Sequence, residues 1–483
     1  MKPRFSGSHV SNDDTTALIS DNKNEKDAKF RQKEQCQFRY IIGLIIVLAV
    51  FMIAGALVVK ASCKSSSSRY GMCLPKWKEK SVEASPDEIS TATEAFPNIE
   101  ANSTATEVPD TNDENSNAIE ASATDDDNNS TSIQIYAGFD GSEAEGAKRS
   151  GVIFKDLDGT PKEPIQIFKD HGYTYSRLRV MVSPSGSYGL FQDIEYVKEM
   201  AREIVHTNSM KLLLDFHYSH WWADPENQWI PLDWRGDDET YNSNLTLAVL
   251  KEHVYNHTRA VIEELILQGT IPDAVQVGNE VNAGMLWEEG EIVNGDMQNF
   301  VHLTNTAIDA MKDSFSANNV TTSFPQIVMH LASGGWTEFT EQWFTNFTKA
   351  GGAFDVVGLS YYPQWHGSFQ DLADNMKNMK AMFPDKHIWV VETAYYWTEA
   401  SSDFEKLPFD QSEDGQFHYL KALLDVLKDY GHDTAVFYWG SHWTQANRWM
   451  NSNETWEETG KRSLFNANAQ ALKGIDALIS SQF

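Results

Sequence analysis

The chain has 483 residues and a formal net charge of -30, from 39 Lys and Arg against 69 Asp and Glu. A polyanionic partner needs a basic surface, and no basic stripe is visible, so the balance argues against nucleic-acid binding. All three cysteines, Cys36, Cys63 and Cys73, precede residue 80, so whatever folds beyond them stands without disulfides.

Residues 1–40 mix both charge signs with Ser, Asn and Asp and show no hydrophobic period, which predicts a disordered cytoplasmic tail. Ile41 to Val59 is a run of nineteen uncharged residues, close to what a helix needs to cross ~30 Å of hydrocarbon. It is too long and too far from the N-terminus for a cleaved signal peptide, so an uncleaved transmembrane signal anchor is expected at 41–59. Lys and Arg flank the span almost equally and do not orient it. The sequons do: Asn102, Asn128, Asn129, Asn244, Asn256, Asn319, Asn346 and Asn453 each open an Asn-x-Ser/Thr triplet, and all follow the span. The C-terminal part is therefore expected outside the cell or in a lumen. Cys36 is a candidate for acylation; Cys63 and Cys73 either form a small loop or an intermolecular link, or are unrelated thiols.

Residues 60–132 read as a stalk. From Ser81 to Ser132 there are Ser, Thr, Asn, Ala and acidic residues with no Lys or Arg, a composition that cannot bury a core and repels itself. From 133 to 483 the pattern changes to short apolar strands alternating with amphipathic helices. Strands are predicted at 134–138, 176–182, 211–216, 274–277, 326–331, 355–360, 387–392 and 434–439. Helices are predicted at 193–206, 247–267, 296–312, 369–382 and 415–428, with a weaker one at 468–479. Eight such units fit an α/β fold, the (β/α)8 TIM barrel, whose site is expected where the C-terminal ends of the strands meet. A doubly wound open sheet is the alternative, but no Gly-rich phosphate loop follows the first strand.

Two of these strands end on glutamate. Ala274 to Val277 runs out into Gly278-Asn279-Glu280, and Ile388 to Val391 ends on Glu392. Breaking a glycosidic bond needs a proton for the leaving oxygen and stabilisation of an oxocarbenium-like carbon, and two carboxylates supply both. Other strand ends carry Asp140, Asp215 with His217, Ser360 with Tyr361 and Tyr362, and Trp439. Asp140, Asp215 and His217 are candidates for hydrogen bonds to sugar; His217 has no second His at ligand spacing, so a metal role is not favoured. Arg177 and Arg179 share one face of the second strand, and at least one is expected to pair with Glu392. Trp221, Trp222, Trp229, Trp234, Tyr361, Trp365, Trp397 and Trp439 fall in loops or at strand ends, and aromatic faces suit the C–H faces of sugar rings.

Taken in order, Leu214-Asp215-Phe216-His217-Tyr218-Ser219 with Trp222-Ala223-Asp224-Pro225, Gly278-Asn279-Glu280, Leu359-Ser360-Tyr361-Tyr362-Pro363-Gln364-Trp365-His366-Gly367 and Glu392-Thr393-Ala394-Tyr395 resemble glycoside hydrolase family 53, the endo-β-1,4-galactanases. The likeness runs from about Tyr136 to Phe465. It implies a retaining barrel enzyme acting on galactan, with Glu280 as acid/base, Glu392 as nucleophile, Asn279 on the sugar 2-hydroxyl and Trp439 beneath the reacting sugar. Asp140, Arg177, Arg179, Asp215, His217, Ser360, Tyr361 and Trp365 complete the expected substrate-binding set. Departures are Gly440 and Ser441 where the family has Glu-Pro, and His220, Met181 and Ala283 where it has Asp, Trp and Asn. No cofactor is expected, and no acidic loop has convincing calcium-ligand spacing. Two other readings stay open: a stalk-displayed carbohydrate-binding protein without catalysis, and a related enzyme acting on another β-glycan such as mannan.

Overall fold

The computed structural model describes residues 133–186, 189–235, 245–400, 407–444 and 460–479. The expected tail (1–40), membrane span (41–59) and stalk (60–132) lie outside these, as do the three cysteines. Among the described residues no helix is long and apolar enough to cross a membrane.

Eight parallel strands close into a barrel in chain order: β1 (Ile135–Asp140), β2 (Tyr175–Val180), β3 (Lys211–Phe216), β4 (Ala274–Val277), β5 (Gln326–Leu331), β6 (Val356–Ser360), β7 (His387–Thr393) and β8 (Thr434–Tyr438). Closure, with β8 pairing β1, sets aside the open-sheet alternative. β3, β4 and β5 have the limits expected from the sequence, and the other strands differ by one or two residues. Ten helices surround them among the described residues: α1 (Ala144–Arg149), α2 (Pro164–Asp170), α3 (Ile194–Arg202), α4 (Leu232–Arg235), α5 (Leu247–Leu267), α6 (Gln298–Ala317), α7 (Thr337–Lys349), α8 (Pro363–His366), α9 (Phe369–Met382) and α10 (Glu413–Tyr430).

Local chemistry sets several of these limits. The Asp193 side chain accepts from Tyr196 N at the start of α3, Ser368 and Asp371 form a reciprocal capping box on α9, and α10 begins at Ser412 and stops at Gly431 in the left-handed conformation. The expected helix 193–206 is α only to Arg202 and finishes as a π turn, Glu203–Thr207. The expected C-terminal helix is corrected. Residues 468–479 form turns and one 3-10 turn, Lys473–Asp476, because Ala469 is left-handed (φ 55°) and the Asn466 side chain takes the N–H groups of Asn468 and Gln470.

The barrel interior is layered. Tyr175, Leu213, Ala274, Val328, Val356, Trp389, Val391, Ala435 and Phe437 fill its lower part as one apolar cluster. Phe437 lies so close to β1 that a Cβ on Gly138 would sit 2.5 Å from its ring, so only glycine fits there. Further along the strands the inward positions turn polar: Asp140, Arg177, Asp215, Gln276, His330 and Ser360, all fully buried. An apolar plug below and a charged layer above confine the chemistry to the upper mouth.

Candidate active site

β4 delivers its two functional side chains through a strained turn. Gly278 has φ 87°, and a Cβ there would come within 2.6 Å of Val281 Cγ1; Glu280 is itself left-handed at φ 47°. β7 delivers Glu392 by a different device. Trp389 and Val391 both belong to the inner apolar cluster, so simple alternation would turn Glu392 outward. The register against β6 shifts instead, from Leu359 opposite Val390 to Ser360 opposite Glu392, and this bulge at Val391 re-aims the carboxylate at the mouth.

Arg177 ties the site together from below. Its Nη1 lies 2.8 Å from Glu392 Oε1 and 3.0 Å from Asp140 Oδ2, and its Nη2 lies 2.8 Å from Asp215 Oδ2 and 2.7 Å from Asn279 Oδ1. Arg179 pairs with Asp140 at 3.1 Å and with Glu143, under the face of Trp222 at 4.6 Å. Of the two arginines on that strand face, Arg177 is the one that meets Glu392. Asp140, Arg177, Arg179, Asp215 and Ser360, expected at the sugar, sit one layer too deep: each is fully buried, the first four committed to ion pairs and Ser360 to Glu280 and His330. His217 does reach the cleft, with Nε2 3.1 Å from Asp215 Oδ2 and Nδ1 accepting from Ala223 N at 3.3 Å.

The two glutamates differ in what holds them. Burial raises Glu392 above the ordinary carboxylate range, with Arg177 the largest opposing influence, and Tyr362 OH donates to its Oε2 at 3.1 Å. Glu280 is pushed up to about 8, first by burial and then by the charge of Glu392; only the Ser360 hydroxyl, 2.6 Å from Oε1, and the more distant Arg177 act against this. The guanidinium touches Glu392 and not Glu280, so Glu392 ionises first and Glu280 keeps its proton.

A chain of hydrogen bonds backs Glu280. Asn279 Oδ1 accepts from Arg177, which has no acceptor atom, so that oxygen also accepts from His330 Nδ1 at 2.9 Å. His330 Nε2 is then an acceptor, 2.8 Å from the Ser360 hydroxyl. Asn279 Nδ2 donates one hydrogen to Ala223 O at 2.7 Å, which leaves its second N–H for a ligand.

Both glutamates line one cleft of about 970 Å³, walled by Trp221, Trp222, Trp336, Tyr362, Trp365, Trp439 and Trp443. Trp439 follows β8 directly and packs 4.7 Å from Trp443 and 6.4 Å from Trp222, while Trp365 is 53 % exposed at the rim. Tyr361 is a further correction. It is fully buried with its hydroxyl on Gly367 O, and the neighbouring Tyr362 faces the cleft. Trp234 stacks on His253 at 5.1 Å, outside the cleft-lining set. Tyr362 was noted beside Tyr361 at a strand end but not placed in the binding set; His330, Trp336, Trp443 and Arg462 were not singled out from the sequence. Trp336 and Tyr362 follow strand ends and obey the same rule that selected Trp439. A second cavity of about 600 Å³ opens at the other end of the barrel, around Tyr136, Lys211 and Asp273, without a pair of glutamates. Among the described residues no group of three or more His, Cys, Asp or Glu is placed to hold a metal.

The chain is similar to known proteins. The family model described as glycosyl hydrolase family 53 matches residues 136–478. An uncharacterized protein of Niallia circulans is 32% identical over 357 residues, covering 71% of this chain and 92% of its own. The arabinogalactan endo-β-1,4-galactanase of Cellvibrio japonicus is 31% identical over 340 residues, 65% of this chain and 85% of that enzyme. Among solved structures, the family 53 catalytic domain of Ignisphaera aggregans superposes with a TM-score of 0.63 at 30% identity, over 72% of this chain and 97% of that domain. A barrel whose β4 and β7 each end on a glutamate, matched by the family model over nearly its whole length, makes this chain a member of glycosyl hydrolase family 53.

Proposed function

We propose that the chain is a retaining endo-β-1,4-galactanase that hydrolyses galactan by double displacement. The observation that carries the reading is the asymmetry of the glutamate pair: Glu392 rests on Arg177, while Glu280, raised to about 8, has no cation in contact among the described residues. Glu392 attacks the anomeric carbon as Glu280 protonates the departing glycosidic oxygen. In the resulting glycosyl-enzyme the charge of Glu392 is gone, so Glu280 ionises more readily. It then takes a proton from water as that water attacks the same carbon, and Glu392 is released. The spare N–H of Asn279 serves the sugar 2-hydroxyl, and Trp439 offers the stacking face. Galactan as the polymer is supported by relatives with that printed activity at about 30% identity.

The full-length chain, solubilised in detergent, is expected to release short galacto-oligosaccharides from β-1,4-galactan with retained anomeric configuration, read by NMR of the first products. Glu392→Ala and Glu280→Ala are each expected to lower turnover by at least ~10³-fold, since each removes a group acting in the transition state. Normal turnover by Glu392→Ala would refute the assignment. Galactan bound without new reducing ends would leave a displayed carbohydrate-binding protein, and cleavage of mannan in preference would move the substrate. We also propose that residues 41–59 anchor the chain in a membrane, with the barrel on the extracellular or luminal side.

A further inference from the structure

Three arginines approach the mouth among the residues discussed, and two are matched by acids: Arg177 by Asp140, Asp215 and Glu392, Arg179 by Asp140 and Glu143. Arg462 is different. It lines the cleft, yet among the described residues no carboxylate lies within ion-pair distance of it, and its buried Nε has no hydrogen-bond partner. Its guanidinium is held by aromatic faces instead, 5.2 Å from the Trp439 ring centre, 5.7 Å from Tyr396 and 6.0 Å from Tyr362. Its backbone is fixed as well, because Tyr438 OH donates to Arg462 O at 2.5 Å and Trp397 N donates to Lys461 O at 2.9 Å.

Aromatic faces orient a guanidinium without neutralising it. A cation partly withdrawn from water, with its hydrogen-bonding fork open to a cleft, is a site awaiting an anion. Its location specifies where. Tyr362 stacks beneath Arg462 and donates its hydroxyl to Glu392 Oε2 at 3.1 Å, so the cation borders the sugar whose anomeric carbon Glu392 faces. A neutral galactosyl unit offers this arginine only uncharged hydroxyl and ether oxygens. A substituent bearing a carboxylate or a sulfate ester offers charge and paired oxygens in the geometry of the fork.

We propose that Arg462, framed by Trp439, Tyr396 and Tyr362, is a subsite for an anionic substituent on the β-linked chain, so that the enzyme favours acidic over neutral polymer. The proposal rests on the galactanase reading above and refines its substrate. Screening at a partly exposed site limits the effect, and a charge-assisted hydrogen bond there is worth about tenfold in kcat/KM.

The test compares the full-length chain on three polymers: neutral β-1,4-galactan, the same galactan with part of its C6 hydroxymethyl groups oxidised to carboxylates, and the same galactan partly sulfated. The wild type is expected to favour at least one anionic polymer by about tenfold, the favoured one naming the substituent, with the preference shrinking as salt is added. Arg462→Gln is expected to abolish the ratio between anionic and neutral polymer, and Arg462→Lys to retain part of it. Equal rates on all three polymers, a preference indifferent to salt, or an unchanged ratio in Arg462→Gln would each overturn the subsite. If no polymer is cleaved, the hydrolytic reading falls separately, and the subsite is judged by quenching of tryptophan fluorescence. Galacturonate quenching that exceeds galactose quenching and disappears in Arg462→Gln supports it; equal quenching by the two sugars refutes it.

Discussion

One hydroxyl proton on Ser360 is shared between two acceptors, Glu280 Oε1 at 2.6 Å and His330 Nε2 at 2.8 Å. While Glu280 is protonated it can donate to Ser360 Oγ, and Ser360 donates to His330. Once Glu280 ionises, the hydroxyl turns to the carboxylate and stabilises it at the expense of His330, which burial and Arg177 keep neutral. The other charges that act on Glu280 are Glu392 and Asp224, which raise it, and Arg177, which lowers it. In a pH profile of kcat/KM the alkaline limb therefore belongs to Glu280, near pH 8, and activity declines above it as the acid form is lost. Ser360→Ala removes a hydrogen bond made to the ionised form, so it should move that limb upward by roughly 0.5–1 pH unit while lowering the maximum. A downward move would show that Ser360 does not support the carboxylate. At this scale the two glutamates, Asn279 and Trp439 were legible because strand ends announce themselves. Tyr361 was misread although alternation could have corrected it: counting by two from Gly358 and Ser360 reaches Tyr362. Asp140, Arg179 and Asp215 have the right facing but the wrong depth, and depth depends on barrel stagger, which no single strand carries in its sequence.

The elements show where pattern reading succeeds and where it stops. Strands with uninterrupted β-branched runs were found almost to the residue, whereas the bulge in β7 left no trace, because an extra residue in a strand needs no turn signal. α7 escaped for a related reason: its buried face is Trp343, Phe344 and Phe347 among threonines, residues that favour strands as readily as helices. At the end of β4 the sequence signal and the structural requirement coincide at Gly278. An alanine there would have to hold φ 87° and place its Cβ 2.6 Å from Val281. Gly278→Ala is therefore expected to cost ~2–4 kcal/mol in denaturant unfolding, from backbone strain plus overpacking. It should also lower kcat by more than tenfold, because Asn279 and Glu280 ride on the same turn. Wild-type stability together with wild-type turnover in this variant would show that the turn does not set the acid's position.

For the molecule as a whole, the alternation of strands and helices was enough to anticipate the closed barrel, while the first 132 residues carry a different kind of information, compositional rather than geometric. The proposed anchor follows from length: nineteen residues at 1.5 Å each make a helix of ~28 Å, matched to the hydrocarbon thickness. Its orientation follows from the sequons, all on one side. Of those within the described residues, Asn256 on α5 and Asn319 after α6 are exposed and neither lines the cleft, so glycans there would leave the mouth open. The expected behaviour is that of a single-pass protein. Full-length chain should stay with the membrane through an alkaline carbonate wash and leave only with detergent, whereas a chain lacking residues 1–59 should be soluble. In sealed microsomes protease should remove the short N-terminal tail and spare the rest, and deglycosylation should increase gel mobility of the protected fragment. Release by carbonate would mean that the apolar run does not span the bilayer, and digestion of the barrel with protection of the tail would reverse the orientation.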